Sequence, residues 1–167
     1  PPNVGKLEDT DGDGVCDKRT VLINSFGFNG NAASIHGPFP GPDGRLYWCD
    51  GRHGHEFFDE DGNVVSKGRA ARVFSCLPDG SDVQVLAGGG MDNPVEVDFL
   101  DTGEVVGTCN LFYGRPRGDC LVHWTEGGVY PRYDQQDCIA EFKSTGDLIA
   151  QVYNYGHVAV SGMCRYR

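Results

Sequence analysis

Short apolar or alternating runs, cut at near-regular intervals by turns, make up most of this chain of 167 residues. Arg45-Leu46-Tyr47-Trp48-Cys49, Val83-Gln84-Val85-Leu86, Glu104-Val105-Val106-Gly107-Thr108-Cys109 and Asp147-Leu148-Ile149-Ala150-Gln151-Val152-Tyr153 are rich in β-branched and aromatic residues and too short for helices. Most follow a turn signal. Asp43-Gly44, Asp61-Gly62 and Asp79-Gly80 recur every 18 residues, and Thr102-Gly103 and Thr145-Gly146 come after them. Asp-Gly favours tight hairpins because both central positions tolerate positive φ. Further strands are expected at 19–24, 71–76, 95–99, 120–125, 138–143 and 158–161. The pattern predicts an all-β protein of about ten to twelve short strands with no helix.

Composition agrees with many turns and short strands: 25 Gly, 9 Pro and 39% hydrophobic residues. The chain is long enough for one domain with a real core. Its formal net charge of −10 argues against nucleic acid, because phosphate binding wants a basic face. No run approaches the ~20 apolar residues of a membrane span. The seven cysteines include no CxxC pair, which removes zinc ribbons, thioredoxin chemistry and CxxCH haem attachment. Cys49, Cys76 and Cys109 close apolar runs, where a thiol packs as a small hydrophobe. One or two disulfides are expected, in keeping with an oxidising periplasmic or extracellular compartment.

One segment carries a metal-binding pattern. In Leu7-Glu8-Asp9-Thr10-Asp11-Gly12-Asp13-Gly14-Val15-Cys16-Asp17, Asp9, Asp11, Asp13 and Asp17 fall at positions 1, 3, 5 and 9 of a calcium loop. Gly14 stands at position 6, and the Val15 carbonyl occupies position 7. A hard cation needs clustered oxygens, and the glycine lets the chain turn around it. Thr20 stands where a bidentate Glu would close the site. The loop leads into a strand-like run, so a calcium loop on a β scaffold is expected, not an EF-hand. The alternative is a solvated Asp/Gly turn.

The turns also repeat at longer range. Gly41-Pro42-Asp43-Gly44-Arg45-Leu46-Tyr47 has relatives at 99–106 and 142–149. Four-stranded propeller blades take about 40–50 residues each, so the chain would hold about three to four. The expected architecture is one partial β-propeller domain over 1–167, with the Asp-rich loop at 7–20 and blades from about residue 20 onward. Three to four blades are too few for a six-bladed ring. Further blades, or a partner chain, would have to close it.

His36-Gly37-Pro38-Phe39-Pro40-Gly41-Pro42-Asp43-Gly44-Arg45-Leu46-Tyr47-Trp48-Cys49-Asp50-Gly51 resembles the His…GPDG…LY…GD stretch of soluble PQQ-dependent sugar dehydrogenases. Val73-Phe74-Ser75-Cys76-Leu77-Pro78-Asp79-Gly80-Ser81 resembles their VLRLNPDGS hairpin, and Asp92-Asn93-Pro94-Val95-Glu96-Val97-Asp98-Phe99 their RNPQGLAF strand. Gly118-Asp119-Cys120-Leu121-Val122-His123-Trp124 with Glu126-Gly127-Gly128-Val129-Tyr130-Pro131 resembles their DEINLI…GGNYGWP segment. The Asp loop followed by Lys18-Arg19-Thr20-Val21 is similar to the membrane-bound dehydrogenase propellers of planctomycetes and related bacteria, which are often fused to a c-type haem domain.

That resemblance implies a calcium- and PQQ-dependent oxidation of a sugar or related alcohol, with electrons passed to a c-type cytochrome. His36 matches the histidine that takes the substrate hydroxyl proton, although Ile35 stands where the dehydrogenases have Asp. The carbonyls around Asn93 and Pro94 match the segment holding a cofactor-side calcium. Arg52 could grip a cofactor carboxylate, because a guanidinium fork fits one. His157, in an echo of the His36 entrance, would face the same channel. A non-catalytic, calcium-stabilised scaffold binding a partner chain or a glycan is the competing reading. The His53/His55/Glu56 group reads as a polar rim or a weak metal site. Tyr47, Trp48, Phe74, Phe99, Phe112, Trp124 and Tyr153 read as packing between blades.

Overall fold

The computed structural model describes residues 3–28, 30, 33–59 and 61–166. It is all-β, with one helix of four residues among the described residues. The first hairpin joins β1 (Val4–Glu8) to β2 (Lys18–Ile23) across the Asp-rich loop. Next come β3 (His36–Pro40), β4 (Leu46–Asp50), β5 (His55–Phe58), β6 (Val64–Gly68), β7 (Ala71–Cys76) and β8 (Gln84–Gly89). The last part holds β9 (Asn93–Pro94), β10 (Asp98–Phe99), β11 (Val105–Phe112), β12 (Gly118–His123), β13 (Gly128–Tyr130), α1 (Gln136–Ile139) and β14 (Tyr153–Gly156). Two five-stranded sheets dominate. One runs β13-β8-β7-β4-β3; the other runs β10-β11-β12-β14, with β9 also on β11. The β1–β2 and β5–β6 hairpins form separate two-stranded sheets, and among the described residues no sheet closes on itself.

The central strands β4 and β7 are buried on both faces, which accounts for their continuous apolar runs. Successive side chains point to opposite faces of a strand. Tyr47, Cys49, Ala71 and Val73 therefore enter the core shared with Phe99, Cys109, Phe112, Cys120, Val122, Trp124 and Tyr130 of the other large sheet. Trp48, Phe74 and Cys76 face the other way and join Val4, Ile23 and Phe57 from the two hairpins and Phe26 from the segment after β2. Trp48 stacks on Phe74 with centroids 5.3 Å apart. The strand β3 contains Pro38 and Pro40 and occupies a sheet edge, where a missing N–H breaks no ladder.

Gly88, Gly89 and Gly90 permit close packing. A Cβ on Gly88 would strike the Phe142 ring, one on Gly89 the Tyr130 backbone, and one on Gly90 the Arg132 Cβ. The glycine string is thus a seat for two later chain segments, 130–132 and the one around Phe142.

Several expectations need correction. The strand expected at 138–143 is instead α1 and the turn after it, where Glu141 and Phe142 face Arg69, Arg72 and Gly88. The run at 147–153 contributes only its last residue to a strand, β14, and 158–161 forms none. Of the strand expected at 95–99 only Asp98–Phe99 forms, as β10; residues 95–97 belong to no strand, and β9 lies before them. Tyr153 is 59% exposed on an outer strand, not packed between sheets. All seven cysteines are free thiols, against the expected disulfides. Among the described residues no helix is long and apolar enough to cross a membrane.

Candidate functional site

Residues far apart in sequence meet at one cleft of about 620 Å³, lined among others by Arg52, Asp92, Asn93, Asn110, Asp119 and His157. The turn after β4 supplies Arg52, β9 and the residue before it supply Asn93 and Asp92, and β11 supplies Asn110. Asp119 comes from β12, and His157 follows β14. The volume lies within the ~300–1,000 Å³ common for small-molecule sites.

Two charge arrangements build the cleft. Asp92 is buried and accepts from Arg52 NH1 at 2.9 Å and from the buried Arg132 NH1 at 3.3 Å. Its main-chain carbonyl also accepts the Arg52 N–H at 3.0 Å. Asp119 accepts three backbone N–H groups, from Leu111 at 2.8 Å, Val158 at 2.8 Å and Ala159 at 2.7 Å. Burial works to raise the Asp119 carboxyl, but those three donors outweigh it and hold it below the usual range. Leu111 and Ala159 both sit at φ +53°. Left-handed backbone is costly for residues with a Cβ, and here one carboxylate fixes both. Asn110 Oδ1 is buried and accepts no hydrogen bond from a described residue.

His36 is half-buried on β3, and its Nε2 lies 2.8 Å from Asn93 Oδ1. The amide oxygen only accepts, so Nε2 carries the proton and Nδ1 is the basic nitrogen. The structure therefore brings Arg52, Asn93 and His157 to one cleft and couples His36 to it through Asn93. Pro94 is fully buried in β9, opposite Cys109.

The Asp-rich loop is separate from this cleft. Carboxylate oxygens of Asp9, Asp11 and Asp13, all exposed, lie within 4.8 Å of one another and could hold a metal ion. Asp9 accepts the N–H of Gly12 at 2.7 Å and of Gly14 at 2.8 Å, so the glycine at position 6 closes the turn. Asp17 faces Thr10 instead, accepting its N–H at 3.0 Å and its hydroxyl at 2.6 Å. Val15 is exposed, and its N–H donates to Asp13 Oδ1 at 2.7 Å.

A second cleft, of about 710 Å³, opens beside the β5–β6 hairpin. His55, read from the sequence as part of a polar rim, is buried there. Its Nε2 meets Ser66 Oγ at 2.8 Å, and its Nδ1 lies 3.7 Å from Asp50 Oδ2. Ser66 and Asp50 were not singled out in the sequence. Asp50 closes an apolar run, a context that gives no sign of a buried acid.

A family model described as a domain of unknown function (DUF7133) matches residues 1–112. Neither the curated proteins nor the solved structures contain a significant match.

Proposed function

Starting from a chain that belongs to the DUF7133 family, we propose that it is the calcium-binding part of a quinoprotein β-propeller that oxidises a sugar or related alcohol and passes electrons to a cytochrome. The observation that carries this reading is the meeting of Arg52, Asn93 and His157 at one cleft, with His36 hydrogen-bonded to Asn93. The architecture supports it too. A sheet buried on both faces by neighbouring sheets is what an inner blade requires, and the chain is short of a full ring. Further blades or a partner chain would close that ring, in a periplasmic or extracellular setting.

The cleft residues fit a planar quinone bearing carboxylates. Arg52 spends NH1 on Asp92, stays 38% exposed at its side chain, and keeps the rest of its fork for a carboxylate. His157 is exposed at the same cleft as a further donor. When bound, such a quinone supplies the hydride acceptor. The chain supplies the proton acceptor. His36 donates through Nε2 to Asn93, which holds the ring and fixes the tautomer in which Nδ1 is the basic nitrogen. Asn93 thus takes the orienting part that the acidic neighbour has in the dehydrogenases, where this chain has Ile35.

Titration of the chain with PQQ and Ca²⁺, followed by quinone absorbance and then dye-linked aldose oxidation, tests the reading. Uptake is expected, and H36Q is expected to keep the quinone while losing about 10²–10⁴-fold in rate. No quinone uptake and no oxidation removes it. A second reading, the non-catalytic scaffold, draws on one observation: Arg52 and Arg132 already share Asp92 as an internal partner, which spends part of the cleft's positive charge within the chain. Calcium-dependent stabilisation without quinone uptake favours that second reading.

A further inference from the structure

Arg115 and Arg117 are exposed on the loop between β11 and β12. Each lies over a tyrosine ring: Arg115 over Tyr133 at 4.5 Å and Arg117 over Tyr113 at 4.7 Å. The other neighbour of Tyr113 is Arg132, 4.3 Å from the ring centroid, which also binds Asp92 of the cleft. The loop is held from the C-terminal side. The Pro116 carbonyl accepts from Asn154 Nδ2 at 2.9 Å and from Gln151 Nε2 at 3.4 Å. This loop leads from the cleft residues Asn110 and Leu111 to the cleft residue Asp119.

A guanidinium lying on an aromatic face keeps its N–H edge for in-plane hydrogen bonds. Neither Arg115 nor Arg117 forms an ion pair with a described residue closer than 4.0 Å, although the chain carries 24 acidic residues. Their charge is thus left for something outside the chain, on a loop that aromatic rings and two amide contacts make stiff. Preorganised forks of this kind suit planar or tetrahedral oxoanions.

We propose that Arg115 and Arg117 form an anion clamp on the loop that joins the cleft residues Leu111 and Asp119, and that its ligand is an acidic sugar whose carboxylate or sulfate group they hold. This deepens the functional reading above and rests on it for the sugar; the clamp itself rests on the loop geometry. Binding of tri-galacturonate, of its fully methyl-esterified form and of a sulfated galactan trisaccharide, each measured by calorimetry at low and high salt, tests the proposal. The parent chain is expected to bind at least one anionic form about tenfold more tightly than the neutral ester. That margin shrinks at high salt, as contacts with exposed charges do. The two anionic arms tell carboxylate from sulfate. R115A/R117A is expected to erase the margin while keeping ester binding, and R115K/R117K to restore part of it. Equal affinity for charged and neutral forms, failure to bind any of them, or a margin that survives R115A/R117A overturns the clamp. Both residues are exposed, and the circular dichroism of each variant checks that the fold is kept. The quinone reading fails separately, by absent quinone uptake, which none of these binding arms measures.

Discussion

His55 Nδ1 lies 3.7 Å from Asp50 Oδ2, and neither side chain has any exposed surface. The pair joins the end of β4 to the start of β5 and sits beside Phe57 and Phe74, whose centroids are 4.6 and 4.8 Å from the imidazole. Burial pushes the Asp50 carboxyl up to about 8, with the Arg72 guanidinium acting the other way. Burial, reinforced by Arg72, pushes the His55 imidazole down to about 4. Around neutrality the low-dielectric setting thus favours an uncharged pair, in which His55 is held by its Nε2 contact with Ser66 Oγ.

The pH response of stability follows from those directions. A carboxyl held above its unfolded value of about 3.9 stabilises the fold fully below that pH, and the contribution is lost as pH rises through about 8. An imidazole held below its unfolded value of about 6.5 contributes above that pH and loses the contribution as pH falls through about 4. D50N removes the first effect only. It is expected to raise Tm above the parent by ~4 °C or more near pH 8, with the gap closing near pH 4. Calorimetric melting across this range decides the matter, and an unchanged gap at the two ends contradicts the buried-acid account.

Asp92 is expected to be the costliest single carboxylate to delete. It compensates the buried Arg132, which is 3% exposed, as well as Arg52. D92A leaves the Arg132 charge buried with little to oppose it, since its other acidic neighbour, Asp134, is 3.4 Å away and half-exposed. Losses of this kind run to about 3–5 kcal/mol. Replacing both partners by apolar residues, D92L/R132M, is expected to recover much of that. Urea unfolding of the two variants measures it, and a D92A loss below ~1 kcal/mol would show that Arg132 is otherwise compensated.

The all-β class was legible because period-2 patterning and Asp-Gly turns act locally. The turns at Asp43-Gly44, Asp61-Gly62 and Asp79-Gly80 do lie between consecutive strands, β3–β4, β5–β6 and β7–β8. The 138–153 stretch misled because its apolar residues serve long-range contacts. Phe142 lies against Gly88 and the Arg72 guanidinium, and Ile149 joins the rim of the main core. Propensity alone cannot distinguish such a plug from a strand. Asn93 was reached through motif resemblance, Arg52 through its place after a strand end and His157 through an echo of the His36 entrance. Asp119 and Asp50 were not, because their roles are set by which backbone amides or rings the tertiary fold brings to them.

Thiol reactivity should follow burial. Cys49, Cys76, Cys109 and Cys120 are buried, whereas Cys16 and Cys164 are exposed and Cys138 is partly covered. Burial raises the thiols of Cys49 and Cys109 well above their usual range and pushes Cys120 up to about 11. The thiolate is the reactive species, so these three are doubly protected. Brief alkylation of the native chain, read by peptide mass, is expected to mark Cys16 and Cys164 first and Cys138 more slowly. The other four should react only after unfolding. Early labelling of Cys109 or Cys120 would mean that the β11–β12 pairing opens easily.

The Asp-rich loop gives the sharpest test of calcium, because its charge and its hydrogen bonding can be varied separately. Asp11 Oδ1 accepts the Asp13 N–H at 3.3 Å, and Asp13 Oδ1 accepts the Val15 N–H at 2.7 Å. An Asn at either position keeps an acceptor oxygen and loses the negative charge. Without a cation the clustered carboxylates of Asp9, Asp11 and Asp13 repel one another, so D11N/D13N is expected to melt slightly higher than the parent in EDTA. With millimolar Ca²⁺ the order should reverse. The parent gains several degrees by linkage to the bound ion, the variant gains little, and equal Mg²⁺ does less because it sheds water reluctantly. D9A is a different perturbation: it removes the acceptor for the Gly12 and Gly14 N–H groups and so loosens the turn itself. A parent Tm that ignores Ca²⁺, or a D11N/D13N variant that still responds to it, would reduce the loop to a solvated turn and take calcium out of the functional reading.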